Sequence, residues 1–354
     1  MFPMTNAAHS ARHTAPRRVP RLHQTCSAEV TRPRRATTLC RSLALLTLAL
    51  ASTASAQGSA SVAVGATRAV LVTGASSGIG RRIAETLAQS GFFVYAGARS
   101  AADLASLDSI ANVKSVRLDV THPDDIRGAV ATITSAGRGL YGVVNNAGVV
   151  VAGPLIELDE SELEFIFGVN VYGPLRITKA FAPLLLEARG RVVNISSLNG
   201  IVASPMIGAY SMSKHAIEAF GDGLRAELAP LGVGVSLIEP GNYGTEIGRN
   251  MLARLDTASV GRSRFAPQMR RTLAAMRAFE HGPPPDAVAE AVLDALTNPA
   301  PRPRYLVVPE ENQATLTLRT LLDHAVQMNE SQAFRLDRDA LVRMLDESIA
   351  HNRR

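Results

Sequence analysis

Cysteine, tryptophan and lysine are scarce in this chain of 354 residues. It has two cysteines, Cys26 and Cys40, no tryptophan, and three lysines among 37 basic residues. Both cysteines precede residue 57, so the remainder has no thiol, which excludes disulfides, zinc–thiolate sites and cysteine catalysis there. The later histidines, such as His122, His215 and His281, lack metal-ligand spacing, so no metal site is predicted.

A basic surface is also missing once the first 56 residues are set aside. The formal net charge is +6, but residues 1–56 hold eight arginines against one acid, which leaves −1 for residues 57–354. The high isoelectric point is therefore no argument for nucleic-acid binding. No nucleophile elbow is present either, so a Ser-His-Asp hydrolase is not supported.

The first 56 residues have the pattern of an export signal. Their arginines precede a short apolar run that starts near Ser42 and ends in "ASA" at 54–56. This pattern predicts cleavage after Ala56, and the arginine pair at 34–35 suggests a twin-arginine signal. A retained membrane anchor, an organelle transit peptide and a start codon assigned too early are the alternatives. We expect an exported or periplasmic protein if the leader is genuine, and a cytoplasmic one if the start is misassigned.

Apolar strands alternate with amphipathic helices from residue 68 onward. Seven short β-rich runs lie at 68–74, 92–98, 113–120, 140–148, 191–197, 233–241 and 304–309. The alternation predicts an α/β fold: a Rossmann-type, doubly wound, parallel seven-stranded sheet with helices on both faces.

The remaining segments frame a single domain at 68–310. Residues 57–67 read as a linker, and 311–354 as an extension with two amphipathic helical runs. The apolar stripe of the first run would pack on the domain or on a second subunit. Contact with a membrane surface is the weaker alternative, because acids are mixed through the second run.

A glycine-rich turn follows the first strand. In "TGASSGIG", residues 73–80, Gly74, Gly78 and Gly80 stand between that strand and a helical segment. Glycines allow a tight turn and close approach of a pyrophosphate, and the helix amides and dipole hold its negative charge. A glycine-rich turn alone is a weak signal, but its position between strand and helix predicts a dinucleotide site.

The end of the second strand bears on the choice of cofactor. A carboxylate there would bind the ribose 2′-hydroxyl and repel a 2′-phosphate, but this chain has Arg99 and no acid until Asp103. Arg99, with Arg81 or Arg82 in support, favours NADP(H), and NAD(H) is the alternative. A solvated loop position for Arg99 is the other interpretation.

Tyr210 and Lys214 are four positions apart in "AYSMSK". Residues at this spacing share a helix face, so the ammonium can lie near the phenol and lower its pKa toward that of a useful acid–base group. A hydroxyl such as Ser197, at the end of a strand, could fix the oxygen of an alcohol or carbonyl. Ser211 and Ser213 are interpreted as packing or solvent residues, and an ordinary surface pair is the alternative for Tyr210 and Lys214.

Seven motifs in order resemble the short-chain dehydrogenase/reductase family over about 68–310. They are "TGASSGIG", "LDV" ending at Val120, "NNAG" at 145–148, "NVYG" from Asn170, "ISS" at 195–197, "YSMSK" at 210–214 and "EPGNYGT" at 239–245. The stretches "VYGPLRITKAFAPLL" and "IEPGNYGT" look most similar to the branch acting on retinol, hydroxysteroids and 3-hydroxybutyrate.

The resemblance implies roles for individual residues. Tyr210 would be the proton donor or acceptor, Lys214 its helper, Ser197 the ligand of the substrate oxygen and Asn170 the anchor of a proton-relay water. The cofactor would be bound by Gly74, Ser76, Ser77, Gly78, Ile79, Gly80, Arg99, Asp119, Val120, Asn146, Ala147, Gly148, Tyr210, Lys214, Pro240, Gly241 and Thr245. Helices at 160–188 and 208–230 resemble the faces that form dimers or tetramers in this family.

The resemblance also places a substrate lid at 243–285. Its apolar residues line a pocket or form the core side of two helices: Met251, Leu252, Leu255, Phe265, Met269, Leu273, Met276 and Phe279. The expected function is an NADP(H)-dependent oxidoreductase that interconverts a lipophilic or secondary alcohol and its ketone or aldehyde. The alternative is a non-catalytic cofactor-binding redox sensor or scaffold.

Overall fold

The computed structural model describes residues 67–255 and 257–352. The predicted leader at 1–56 and nearly all of the linker at 57–67 lie outside these residues. Within residues 67–255 and 257–352, none of the helices has the length and the apolar run that a membrane span needs.

The described residues contain one seven-stranded sheet. Its strands are β1 (Ala69–Val72), β2 (Phe93–Ala98), β3 (Val113–Arg117), β4 (Gly142–Asn145), β5 (Arg191–Ile195), β6 (Gly234–Pro240) and β7 (Arg304–Val307). The order is β3-β2-β1-β4-β5-β6-β7, and every neighbouring pair is parallel. The predicted parallel sheet is confirmed, with a run for each strand.

Helices connect and cover the strands. They are α1 (Gly78–Gln89), α2 (Ala101–Asp108), α3 (Pro123–Ser135), α4 (Glu160–Asn170), α5 (Tyr172–Glu187), α6 (Gly208–Leu228), α7 (Ile247–Arg254), α8 (Thr257–Arg262), α9 (Ala266–Phe279), α10 (Asp286–Thr297), α11 (Glu311–Glu330) and α12 (Arg338–Asn352). α7, α8 and α9 occupy the segment predicted as a lid.

Alternate side chains of the central strands enter two separate cores. In β1, Val70 and Val72 pack with α1 and α10, whereas Ala69 and Leu71 pack on the opposite side with α3 and α5. A strand buried on both faces needs a continuous apolar run, which is the pattern of "AVLV" at 69–72. The two cores fix the sheet between its helical layers.

The strand order reverses at β1, which lies between β2 and β4. Connections leave β1 and β4 toward opposite sides, so a crevice opens at the carboxyl ends of these strands. Ligands of open parallel sheets bind in this crevice. The glycine-rich turn follows β1 at this crevice, and Asn146 follows β4.

The two helices predicted after the last strand are present as α11 and α12. The residues of α11 that are buried are Gln313 and Thr317, both in its first turns, and α12 buries none of its residues. Gln313 accepts a hydrogen bond from the Asn242 amide at 2.9 Å and so joins the base of this extension to the loop after β6.

Candidate active site

The glycine-rich turn is shaped for close contact with a ligand and with the next strand. Gly74 and Gly78 have φ of +63° and +54°, in the left-handed region that favours glycine. A Cβ on Gly80 would lie 2.2 Å from the Gly74 carbonyl oxygen and 2.3 Å from Asn146 Nδ2. Ser77 precedes α1, and no side-chain cap accepts a hydrogen bond from the helix's first amides. The first amides of α1 therefore have no side-chain cap, as a pyrophosphate site at this helix end requires.

Asn146 and Thr73 hold this turn against the end of β4. Asn146 Nδ2 donates to the Thr73 and Gly74 carbonyls, both at 3.0 Å. The buried Thr73 hydroxyl accepts from the Asn146 and Ala147 amides at 3.0 Å each. Thr73 was not among the predicted site residues, although its position between a buried strand and the first glycine is a usable signal.

The opposite side of the crevice comes from the segment after β6. Thr245 Cβ would lie 3.3 Å from a Cβ on Gly78, so it faces the glycine-rich turn. Gly241 follows Pro240, and a Cβ there would meet Gln313 Oε1 at 2.2 Å. The predicted cofactor residues after β1 and those after β6 thus lie on opposite sides of one crevice.

Three more of the predicted cofactor residues are Ser76, Ile79 and Val120. Ser76 lies in the turn and Ile79 packs on the core below it. Val120 is buried, and a Cβ on Gly173 of α5 would approach its Cγ2 to 2.7 Å. Val120 therefore also has a packing role, which its type alone does not reveal.

The residues after β2 and β3 that are predicted to distinguish NADP(H) from NAD(H) include a positive and a negative side chain. Arg99 Nη1 lies 3.8 Å from Asp119 Oδ2, and the Arg99 side chain is 73% exposed. Burial raises the pKa of Asp119, but hydrogen bonds from Thr121 and the nearby His122 and Arg99 outweigh it and leave the pKa lowered. The carboxylate is therefore charged and offsets part of the Arg99 charge.

The two arginines expected to assist Arg99 are engaged elsewhere. Arg81 donates to Glu85 at 2.7 Å and to Ser106 at 3.1 Å. Arg82 donates through Nε to Asp286 at 2.9 Å. Sequence spacing does not reveal these partners, and they leave Arg99 as the arginine of the three without a close carboxylate hydrogen bond.

Tyr210 lies in the first turn of α6 and is half-buried. Burial raises the pKa of its phenol, and a hydrogen bond with Ser197 opposes that rise without cancelling it. The expected lowering by Lys214 is not the net direction in this structure, because burial dominates. A phenol with a raised pKa is protonated at neutral pH, which suits a proton donor.

Lys214 is buried one turn farther along α6 on the same face. Its Nζ donates to the Ile195 carbonyl at 2.9 Å and lies 5.7 Å from the centre of the Tyr210 ring. Burial lowers the pKa of the ammonium to about 8, although the charge of Glu218 opposes this. The predicted helical pair is therefore brought together at the end of β5.

Asn170 ends α4 and is almost completely buried. Its Nδ2 donates to the Val149 carbonyl and to Ser213 Oγ, both at 2.9 Å, and its Oδ1 accepts from the Val149 amide at 2.8 Å. Both amide hydrogens are used within the protein, and the relay water that the resemblance implies at Asn170 stays a prediction. Ser213 in turn donates to the Tyr210 carbonyl at 2.7 Å.

Ser211 and Ser213 are packing residues rather than solvent residues. Both are buried, and Ser213 links Asn170 to the first turn of α6. Ser197 follows β5 and its Oγ accepts from the Asn199 amide at 3.1 Å, which fixes the hydroxyl near Tyr210.

The lid contributes both a core and a cavity. Met251, Met269, Leu273 and Met276 are buried in one apolar cluster, against which Tyr210 packs. Met251, Leu255 and Met269 also line a cavity of about 260 Å³. Both interpretations of the lid residues therefore hold for part of the set. The Phe279 side chain lies outside the described residues.

Acids in and just before α4 contact the predicted lid. Glu157 accepts from Ser263 Oγ at 2.6 Å, and Glu162 accepts from Arg254 at 3.0 Å. The Arg254 guanidinium lies 3.8 Å from the centre of the Phe165 ring. These contacts join the predicted lid to α4 and to the residues just before it.

Comparisons with known proteins identify a family and several relatives of the chain. A model of the short chain dehydrogenase family matches residues 68–256. The mitochondrial D-beta-hydroxybutyrate dehydrogenase of Rattus norvegicus is 40% identical over 186 residues, which cover 50% of this chain and 54% of that protein. Retinol dehydrogenase 5 of Mus musculus is 40% identical over 183 residues, covering 50% and 57%. The chain thus spans about half the length of these relatives.

A bacterial relative is covered more completely. The uncharacterized oxidoreductase YbbO of Escherichia coli K12 is 36% identical over 242 residues, which are 68% of this chain and 85% of that protein.

Solved structures share the fold. A short chain dehydrogenase/reductase of Burkholderia phymatum in complex with NAD has a TM-score of 0.64 and 26% identity, with 76% of this chain and 98% of that one covered. A short chain dehydrogenase of Burkholderia cenocepacia in complex with NADP has a TM-score of 0.57 and 26% identity, with 74% and 95% covered.

Proposed function

The chain belongs to the short-chain dehydrogenase family, and on that premise we propose that it is an oxidoreductase which interconverts an alcohol and its carbonyl compound with a nicotinamide cofactor. The observation that carries the proposal is the meeting of Ser197, Tyr210 and Lys214 beside a crevice suited to a dinucleotide. Its relatives in the hydroxybutyrate and retinol dehydrogenase branch support a reaction at a CH–OH group.

The residues of the crevice fit the cofactor. Gly74 and Gly78 give the turn its left-handed backbone, and the first amides of α1 have no side-chain cap among the described residues. Gly74, Gly78 and Gly80 would hold the pyrophosphate, and Thr245 would close the other side. When bound, the nicotinamide supplies or accepts the hydride.

The protein's own groups handle the oxygen and its proton. Ser197 would donate a hydrogen bond to the carbonyl oxygen and fix its direction. Tyr210 would donate the phenolic proton to that oxygen as the carbonyl carbon becomes a carbinol, and would take it back in the reverse reaction. Lys214 would stabilise the resulting phenolate and supply a proton to it.

We assign NADP(H) as the preferred cofactor because Arg99 is exposed and has no close carboxylate hydrogen bond. A guanidinium there would contact the 2′-phosphate, whereas Asp119, 3.8 Å away, moderates its charge.

We expect the substitution Arg99→Leu to raise the KM for NADPH about tenfold and to change the KM for NADH little, because one charge-assisted contact is lost. Initial rates with each cofactor measure this. Arg127→Leu is the matched control, since Arg127 is exposed and pairs with Asp124 on α3. An equal rise for both cofactors would contradict the assignment.

The lid supports a lipophilic or secondary alcohol as substrate. The apolar cluster that packs against Tyr210 supplies one wall of the 260 Å³ cavity, whose other walls include Glu157, Glu162 and Arg254. An apolar wall favours binding of a hydrocarbon group, because that group leaves water. Methionine side chains in the wall adapt to groups of different shape.

The test of the function is oxidation of NADPH and NADH, followed at 340 nm, with ketones, quinones, retinal and steroid ketones. Turnover with at least one carbonyl compound is expected. Tight cofactor binding without turnover of any compound in either direction would instead favour a redox sensor or scaffold.

We further propose that the chain forms a homodimer or homotetramer through α4, α5 and α6. Supporting this, Tyr172, Leu175 and Leu186 of α5 and Met212 of α6 are large apolar residues that are 38–51% exposed.

Sedimentation velocity is expected to show an assembly that Leu175→Glu shifts toward the monomer, because a buried charge opposes association. Gln89→Glu, at an exposed position on α1, is the control with the same introduced residue and the same change in charge. A monomeric parent protein would refute the proposal.

A further inference from the structure

A buried acidic residue lies one turn beyond Lys214. Glu218 is four positions along α6, so its carboxylate lies on the face that already presents Tyr210 and Lys214 to the end of β5. It is 8% exposed, which is rare for a carboxylate unless it has partners. Neither the resemblance nor the proposed mechanism gives Glu218 a role.

One carboxylate oxygen of Glu218 is held firmly. Its Oε2 accepts a hydrogen bond from Arg304 Nη1. Arg304 also donates to Glu239 at 2.9 Å and to Asp222 at 2.5 Å. Arg304 therefore fixes three acids from two elements, and the side chain of Glu218 cannot turn away from the interior.

The other oxygen faces the segment that carries the reacting groups. Glu218 Oε1 is buried without a hydrogen-bond partner in the part of the chain that the structure describes. A Cβ on Gly200 would lie 2.8 Å from this oxygen and 2.8 Å from Ser196 Oγ, which is also unpartnered there. Ser196 lies between Ile195, which accepts from Lys214, and Ser197, which meets Tyr210.

We propose that Glu218 is a positioning residue that keeps Lys214 in its ammonium form through its buried negative charge. The inference rests on the proposed function for its effect on catalysis, but its effect on Lys214 does not depend on turnover. Arg304 supplies the rigidity, and the absent side chain of Gly200 supplies the space for the carboxylate.

The charges around Glu218 determine the sign of the effect. Lys214 and Asp222 face it from α6, Glu239 from β6 and Arg304 from β7. Burial raises the pKa of Glu239 to about 7, and the charge of Glu218 adds to this rise. The hydrogen bond from Arg304 opposes it. Glu239 therefore takes up a proton as the pH falls through neutral.

Burial lowers the pKa of Lys214 to about 8 while Glu218 raises it. Removing the carboxylate would therefore lower the pKa further, and Lys214 would lose its proton nearer to neutral pH. Carbonyl reduction needs the protonated form of the relay, so its rate would begin to fall at a lower pH.

The substitution Glu218→Gln tests this by direct titration. The chain has three lysines, so ¹³C labelling at the lysine Cε gives three NMR signals, and loss of one in Lys214→Met assigns it. In Glu218→Gln we expect the apparent pKa of Lys214 to fall by about one unit, as for loss of a nearby opposite charge. The falling limb of kcat/KM for carbonyl reduction should move to lower pH by a similar amount.

Asp222→Asn is the matched control, because it removes another carboxylate from Arg304 two turns away from Lys214. It should leave the Lys214 titration in place. If Glu218→Gln does not fold, Glu218→Asp keeps the charge, withdraws it from Lys214 and should give a smaller fall. An unchanged Lys214 titration in a folded Glu218 variant overturns the proposal, whether or not any variant is active.

Discussion

Replacing Tyr210 with phenylalanine should lower kcat for carbonyl reduction by about 10²–10⁴-fold, the range for loss of a positioned proton donor. The phenol is half-buried and hydrogen-bonded with Ser197, and its pKa is raised by burial. It therefore holds the proton that the product oxygen needs. The change removes one oxygen atom and leaves the apolar contacts of the ring with the lid cluster intact. Cofactor affinity should therefore change little.

Steady-state rates and fluorescence titration with NADPH separate these two effects. Tyr172→Phe is the matched control, because it removes the same oxygen from a ring on α5 that is 51% exposed. Substantial turnover by Tyr210→Phe would mean that another group donates the proton. Loss of cofactor affinity in parallel would mean that the hydroxyl serves binding.

Replacing Gly80 with alanine should weaken binding of NADPH at least about tenfold and lower the free energy of unfolding by about 1–3 kcal/mol, the usual range for overpacking. The added methyl would lie 2.2 Å from the Gly74 carbonyl oxygen and 2.3 Å from Asn146 Nδ2. Both atoms belong to the hydrogen-bonded turn, so neither can yield without moving the amides that would hold the pyrophosphate.

Gly128→Ala is a suitable comparison, because Gly128 is exposed in α3 and a Cβ there would contact nothing within 4 Å. That variant should gain stability and keep its affinity, since alanine favours a helix more than glycine does. Calorimetric titration and thermal unfolding measure both quantities. Unchanged affinity in Gly80→Ala would show that the turn does not carry the cofactor.

The fold was predictable because each strand has its own local signal. "AVLV" at 69–72 is apolar throughout, as a strand covered on both faces requires, and glycine or polar residues bound it. The strand order was less accessible from the residues. Pairing of β1 with β4 joins Val70 to Gly142 across more than seventy positions, and no local pattern encodes that distance.

The site was predictable where spacing along one element sets the geometry. Tyr210 and Lys214 meet because they lie four apart on α6. Contacts between elements were not predictable in the same way. Arg82 binds Asp286, which is distant in sequence, and the direction of the Tyr210 pKa depends on burial that tertiary packing creates. The role of Thr73 likewise depends on the amides of another strand end.

The stretch from Ile195 to Ser197 makes the end of β5 intolerant of insertions and deletions. Ile195 receives Lys214 through its carbonyl, Ser196 lies beside Glu218, and Ser197 meets Tyr210. Side chains alternate in direction along an extended chain, so adding or losing one residue would exchange the partners of all three positions at once. Among homologous genes, length variation should therefore collect in loops elsewhere and spare these three codons.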